Sequence, residues 1–257
     1  MKQSLVKNIK EQFFLSKLLF CCCLVALKIL LLGCSDTNIT AEEVVMKSIE
    51  NHGGLNSWQG VKQLSFVKET TLFFEDGTIE NKINQLQSFH LGTNFYGSLK
   101  WQKNEKNITI AYKDNEISKI INDSLVTSFI ELEEARNSFF SAQYVVGQPF
   151  TLLNKGVELI LKDNVFIGDI KTYAVNVIYP NDTNMSDKWT YFFDSHTFEM
   201  VANKVELSNH TSWIDNITYD ESSGIKFNAH RKSYRLNSLG EKLYLRAEYF
   251  YRNFKIN

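Results

Sequence analysis

The sequence predicts an α+β fold dominated by β: an antiparallel meander of about ten to twelve strands, interrupted by a single long helix. Two observations carry this. From Val61 onward apolar residues recur at alternate positions, punctuated by turn-forming pairs. Helical spacing occurs in only two stretches of any length, too few for the crossover helices that parallel strands need. Composition agrees with a packed domain. The chain has 257 residues, 44% apolar and 13% aromatic, with 28 basic against 29 acidic side chains and two prolines. That excludes a disordered tail, a collagen-like fibre and a multi-pass membrane protein. The near-neutral charge provides no electrostatic footprint for nucleic acid.

Residues 1–33 read as an export leader. Lysines crowd the first seventeen positions, and Leu18 to Leu27 form a short apolar run. The stretch ends Leu31-Leu32-Gly33-Cys34, which resembles a bacterial lipobox. There the small residue before the cysteine admits a peptidase, and the thiol accepts a diacylglycerol group to become the first residue of the mature chain. Lys28 interrupts the apolar stretch, which is shorter than the roughly 20 residues that span a bilayer. Cys21, Cys22 and Cys23 are apolar filler in that leader, so the body after Cys34 has no cysteine for a disulfide, a metal site or a nucleophile. Residues 34–39 are a polar tether, and 40–257 are expected to form one domain. Ser35 after the cysteine favours the outer membrane by the enterobacterial sorting pattern.

The body opens with a capping box, Thr40 with Glu43 three positions on, starting a helix that Gly53-Gly54 stops. Leu55 to Gly60 is a short turn or helical piece with Trp58 to pack beneath it. In the first strand Leu64, Phe66, Leu72 and Phe74 alternate with polar neighbours, and Lys68 and Thr70 interrupt the series. Asp76-Gly77 marks a hairpin. Further strands follow at Ile79–Leu91, Phe95–Trp101 and Ile108–Tyr112, with turns at Gly92-Thr93-Asn94, Asn104-Glu105-Lys106 and Asp114-Asn115. Ser128 with Glu131 repeats the capping signal, and Leu132, Ala135, Phe139 and Ala142 keep helical spacing up to Gly147 and Pro149. Strands then resume to the end of the chain.

Several of these segments carry a resemblance. Ala41-Glu42-Glu43-Val44-Val45 through His52-Gly53-Gly54-Leu55, then Trp58, resembles the N-terminus of the lipoprotein-sorting LolA/LolB-like group. Tyr191-Phe192-Phe193-Asp194 with Met200-Val201 and Lys204-Val205 resembles that group's strand–turn–strand. Together with Lys232-Ser233-Tyr234-Arg235 and Tyr244–Tyr249, the pattern is similar to an uncharacterised family of Bacteroidetes lipoproteins. The resemblance implies a strongly curved sheet, a half-barrel whose concave face is covered by a helical lid and holds acyl chains or another apolar ligand. On that expectation Phe66, Phe89, Trp101, Phe139 and the same-face pair Tyr173 and Val177 are the candidate cavity residues. Phe129, Leu132 and Phe139 would form the lid. LolA itself is soluble, so the lipobox fits a tethered acceptor or binder better than a shuttle.

Signatures of catalysis are missing. No Gly-x-Ser-x-Gly, His-Glu-x-x-His, dinucleotide-binding or phosphate-loop pattern occurs. His52, His90, His196, His210 and His230 are scattered, and each reads as a surface or hydrogen-bonded residue; His52 suits a helix C-terminus, where a cation meets the dipole. The one basic cluster, His230-Arg231-Lys232 with Arg235, alternates between strand faces and reads as a solvated edge. No cofactor, no metal and no enzymatic activity are expected. The expected protein is a monomeric envelope lipoprotein, held on the outer membrane by its lipid and facing the periplasm. Its expected role is to bind an apolar ligand; the alternative is a structural or interaction lipoprotein with a filled core. Replacing the acylated thiol tests the anchor: Cys34→Ala should move the protein out of the membrane fraction and abolish labelling by a palmitate analogue.

Overall fold

The computed structural model describes residues 39–179 and 187–257; the leader and Cys34 lie outside the described residues. Thr40–Asn257 is one compact unit. It contains two N-terminal helices, α1 (Ala41–Asn51) and α2 (Leu55–Gly60), then strands β1 (Gln63–Phe73), β2 (Ile79–His90), β3 (Tyr96–Lys103), β4 (Lys106–Lys113), β5 (Glu116–Ile121) and β6 (Ser124–Leu125). The long helix α3 (Phe129–Val146) and a 3-10 turn at Phe150–Leu153 follow. The remaining strands are β7 (Glu158–Ile167), β8 (Ile170–Ile178), β9 (Lys188–Asp194), β10 (Met200–Glu206), β11 (Thr211–Asp220), β12 (Phe227–Leu236) and β13 (Lys242–Ile256).

All thirteen strands form one sheet in the order β6-β5-β4-β3-β2-β1-β13-β12-β11-β10-β9-β8-β7. Every pairing is antiparallel. The topology is two meanders placed side by side. The first runs outward from β1 to the β6 edge, and the second runs inward from the β7 edge to β13. They are joined along β1 and β13, where Leu64 faces Ile256 and Leu72 faces Ala247. The backbone of Asn257 closes the seam by accepting from Lys62 N–H at 2.7 Å and Gln63 N–H at 3.1 Å. The chain must therefore travel from one outer edge of the sheet to the other, and α3 makes that crossing.

The turn chemistry explains the first meander. Asn104 and Glu105, Asp114 and Asn115, and Asn122 and Asp123 each place two successive residues at positive φ. Such two-residue turns match the twist of the strands they join. Strands β5 and β6, joined at Asn122-Asp123, lie where the sequence marks no strand, which is why the observed count exceeds the expected ten to twelve.

Both helix starts form as their sequences dictate. Thr40 Oγ1 accepts from Glu43 N–H at 3.2 Å while Glu43 Oε2 accepts from Thr40 N–H at 2.9 Å, and Ser128 Oγ accepts from Glu131 N–H at 3.5 Å. Helix α1 buries Ala41, Val44, Val45, Ser48 and Ile49, one face at helical spacing. It ends where Gly53 takes φ +112°; a Cβ there would lie 2.7 Å from the Gly224 carbonyl oxygen, so only glycine fits.

The core sits on the concave face at the end nearest α1 and α2. Trp58 stacks on Phe150 at 4.8 Å and Phe227 on Phe254 at 4.6 Å, while Phe66 lies 5.1 Å from Phe254. Helix α3 adds Phe139, whose ring meets Phe89 at 5.6 Å, Tyr112 at 5.5 Å and Phe95 at 5.9 Å. One expectation about the lid fails: Phe129 is 76% exposed, as is its neighbour Ile130 at 70%, and the covering residues begin at Leu132 and Ala135. Truncating this packed end should be costly. Phe66→Ala and Phe139→Ala are each expected to lose about 3–5 kcal/mol in urea unfolding, whereas partly exposed Trp101→Ala should lose appreciably less.

Candidate ligand-binding site

The concave face changes character along the strands. Its rows follow from the register. Leu64, Phe89, Gly97 and Tyr112 form one row across β1 to β4, and Phe66, Gln87, Leu99 and Ile110 form the next. One step further Lys68, Gln85, Trp101 and Ile108 align. Across the seam, Thr70 pairs Tyr249 on β13, Tyr249 pairs Arg231 on β12, and Arg231 pairs Asn216 on β11. Ser233, Ile214 and Asn203 align beyond them, as do Arg235, Ser212 and Val205. The apolar rows are covered by α3; the polar rows are not filled by protein.

There a cavity of about 360 Å³ opens, within the range of small-molecule sites. Its apolar walls are Leu72, Val145, Val205, Ile214 and Trp189, with Tyr249 and Tyr251 on its floor. Lys68, Arg231, Arg235 and Arg246 line it too, beside Asn203, Ser212, Ser233 and Gln148. Val145 comes from the last turn of α3 and Gln148 from just beyond its C-cap Gly147, so the same helix that seals the aromatic end also forms one wall here. Behind them a buried hydroxyl chain fixes the helix to the sheet. Tyr144 bonds the hydroxyls of both Tyr179 and Tyr191, and Gln148 Nε2 donates to Tyr191 at 2.5 Å. Burial pushes the Tyr144 and Tyr191 hydroxyls well above the ordinary phenol range, so both stay neutral and serve as hydrogen-bonding groups.

The six residues that the sequence singles out lie elsewhere on this face. Phe66, Phe89 and Phe139 are brought together, at 6.3 Å and 5.6 Å between successive rings, and all are at most 2% exposed. They form packed core. Trp101 shares their face two residues beyond Leu99 and is partly buried. Tyr173 and Val177 share a parity on β8; Val177 is buried, and Tyr173 stacks on Phe198 at 5.8 Å. None of the six lines the 360 Å³ cavity. Phe89 also borders a second depression of about 370 Å³ over the ends of β1 to β4. That one has small residues on its floor, Ser65, Ser88, Ser98 and Ala111, and no buried charged group.

The basic cluster is also repositioned. Strand β12 is interior to the sheet and not a solvated edge: Arg231 is 4% exposed, with Nε donating to Asn216 Oδ1 at 2.8 Å and Nη2 to Asn203 Oδ1 at 2.7 Å. His230 and Lys232 point to the opposite face, where both meet Glu248 at 2.8 and 3.5 Å. The signal for this cavity was present in the sequence as polar interruptions of an apolar parity, Lys68 and Thr70 in β1 and Arg231, Ser233 and Arg235 in β12.

His52 is the other residue that the structure recasts. It is fully buried, with its ring edge-on to Tyr219 at 5.3 Å. Its Nδ1–H donates to the Ser48 carbonyl at 2.7 Å, while Nε2 has no partner. Burial, reinforced by Lys226, lowers its pKa to about 4, so it is held neutral and not as a cation at the helix end. Lys226 itself is held by Glu199 at 2.9 Å and Glu221 at 3.2 Å.

No family model matches the sequence, and no curated protein is significantly similar to it. Solved structures do match the fold. A LolA superfamily protein from Nitrosomonas europaea superposes with TM-score 0.54 at 10% identity, over 85% of this chain and 94% of the other. A putative outer membrane lipoprotein-sorting protein domain from Vibrio parahaemolyticus gives 0.50 at 9% identity, over 83% and 91%. The chain thus has a LolA-like fold, an open, mostly-β antiparallel sheet with few helices. Among the described residues no helix is long and apolar enough to cross a membrane, and no cluster of metal-ligating side chains occurs.

The neutral His52 sets a pH dependence. Between about pH 6.5 and 4 the unfolded chain binds a proton that the folded chain refuses, so stability is full above that window and falls as pH is lowered through it. The loss should be on the order of 3 kcal/mol. In urea unfolding across this range, His52→Gln should flatten the profile, although it starts from lower stability at neutral pH.

Proposed function

We propose that this chain is a non-catalytic envelope lipoprotein, anchored through Cys34 on the outer membrane and facing the periplasm. As a monomer it holds the apolar part of a ligand in its concave cavity. The observation that carries the reading is the 360 Å³ space left between the end of α3 and the strands β1 and β9 to β13, walled by Leu72, Val145, Val205, Ile214 and Trp189. A sheet with no second sheet opposite it must cover its concave face with helix or with ligand, and α3 covers only the aromatic end. The fold supports the same role by likeness, since one structure that shares it carries a lipoprotein-sorting description. The motifs around Tyr191 and Lys232 support a place beside the uncharacterised Bacteroidetes lipoproteins that they resemble. Scattered histidines and the absence of a His–acid pair facing the cavity support a binder over an enzyme.

The test uses an uncharged apolar dye. N-phenyl-1-naphthylamine should gain fluorescence on mixing with the purified full chain. Filling the cavity with Val205→Trp or Ile214→Phe should abolish that gain while leaving the circular dichroism and urea midpoint near the parent's. A dye that never binds, or binds equally well to the filled variants, would replace this reading with that of a scaffold protein with a closed core.

A further inference from the structure

The cavity is a poor container for a purely apolar molecule. Four of its lining side chains are cationic, Lys68, Arg231, Arg235 and Arg246, and no aspartate or glutamate is among them. Only Arg246 has a carboxylate partner, Glu80, and it also donates to the Phe73 carbonyl. The other three meet neutral groups alone among the described residues. Arg231, nearly fully buried, gives its hydrogen bonds to the two amide oxygens of Asn216 and Asn203. Arg235 donates to Ser212 Oγ at 2.5 Å, and Lys68 Nζ stands 4.8 Å from the Tyr249 ring and 5.7 Å from the Tyr251 ring.

Burying a guanidinium without a counter-charge is costly, and natural chains usually pair it with a carboxylate. Here the neighbours instead orient it. Asn216 and Asn203 fix the plane of Arg231, which leaves further N–H donors of its five uncommitted. Such a fork matches a carboxylate or a phosphate. Alternation on β12 puts Arg235 on the same face four residues along, and the register sets Lys68 beside Tyr251, diagonal to Arg231 across Tyr249. The three charges thus converge on one space whose remaining walls are aliphatic and aromatic.

Building on the apolar cavity reading above, we propose that the ligand is an anionic amphiphile. Its carboxylate or phosphate head is received by Arg231, Arg235 and Lys68, and its hydrocarbon lies against Leu72, Val145, Val205, Ile214 and Trp189. The head neutralises the buried charge, and the tail displaces water from the apolar walls. Neither half of the wall accounts for the other: a free anion needs no aliphatic surface, and a neutral lipid needs no arginine.

The experiment compares matched probes on the purified full chain. Dansyl-undecanoic acid should bind at least about tenfold more tightly than its methyl ester, a preference that about 0.5 M salt should reduce. Arg235→Gln and Lys68→Gln, both at partly exposed positions that the fold tolerates, should each weaken the acid several-fold and leave the ester unchanged. Arg231→Gln should do the same more strongly if it folds. In competition, dodecyl phosphate should displace the acid at far lower concentration than inorganic phosphate does. Equal affinity for acid and ester would overturn the anionic head and leave the apolar cavity standing. Displacement by inorganic phosphate as effective as by dodecyl phosphate would assign the site to a free anion and overturn the amphiphile. Binding of neither probe would overturn the proposal together with the cavity reading on which it rests.

Discussion

One antiparallel sheet has to bury a face, and only one long helix is available to bury it. That constraint governs the whole molecule. Helix α3 runs from the β6 edge to the β7 edge because the chain has to cross between its two meanders, and in crossing it covers the concave side. Where it passes, the sheet answers with Phe66, Phe89, Leu99 and Tyr112, and the space is filled. Past the end of α3 the same face is left partly uncovered, and there it mixes polar and charged side chains with Leu72, Val205 and Ile214. The strands there carry Lys68, Gln85, Arg231, Ser233 and Arg235.

This division explains why so much of the architecture was legible in the sequence and so little of the site. Strand parity, capping boxes and turn pairs are local: Thr40 with Glu43, Ser128 with Glu131 and Asn104-Glu105 each determine their own backbone within four residues. Aromatic parity identifies which strand face is inward, and Phe66, Phe89 and Phe139 did meet. It does not identify where the inward face is left empty. That depends on which strands lie beneath the end of α3, a matter of the joining of β1 to β13, and no local pattern encodes that pairing. The residues that mark the cavity looked like faults in the periodicity. Arg231 reads as solvated because the basic side chains around it alternate between strand faces; only the sheet order shows β12 to be interior.

His52 departs from its local pattern for a related reason. A histidine at a helix end faces water in a solitary helix, but here the Gly53 turn folds against Gly224 and the Lys226 N–H reaches the His52 carbonyl at 3.0 Å. The strand β12 that presents Arg231 to the cavity begins just beyond this junction. Burial of His52 and orientation of β12 are therefore two results of one packing contact, between the end of α1 and the β11–β12 turn.

The position of β13 also bears on the order in which the protein can assemble. Its residues come last among the strands, yet they lie in the middle of the sheet, between β1 and β12. A chain emerging from its N-terminus can form the β1 to β6 meander early from neighbouring segments, and later the hairpins from β7 to β12. Neither half presents a finished face until β13 arrives to join them, across a loop of most of the domain, a slow event for non-local pairing. Before that moment the unpaired edges of β1 and β12 are exposed together with the aromatic rows beside them. The sheet stays open until β13 pairs, and that interval is the one in which its exposed edges most need protection from other nascent chains.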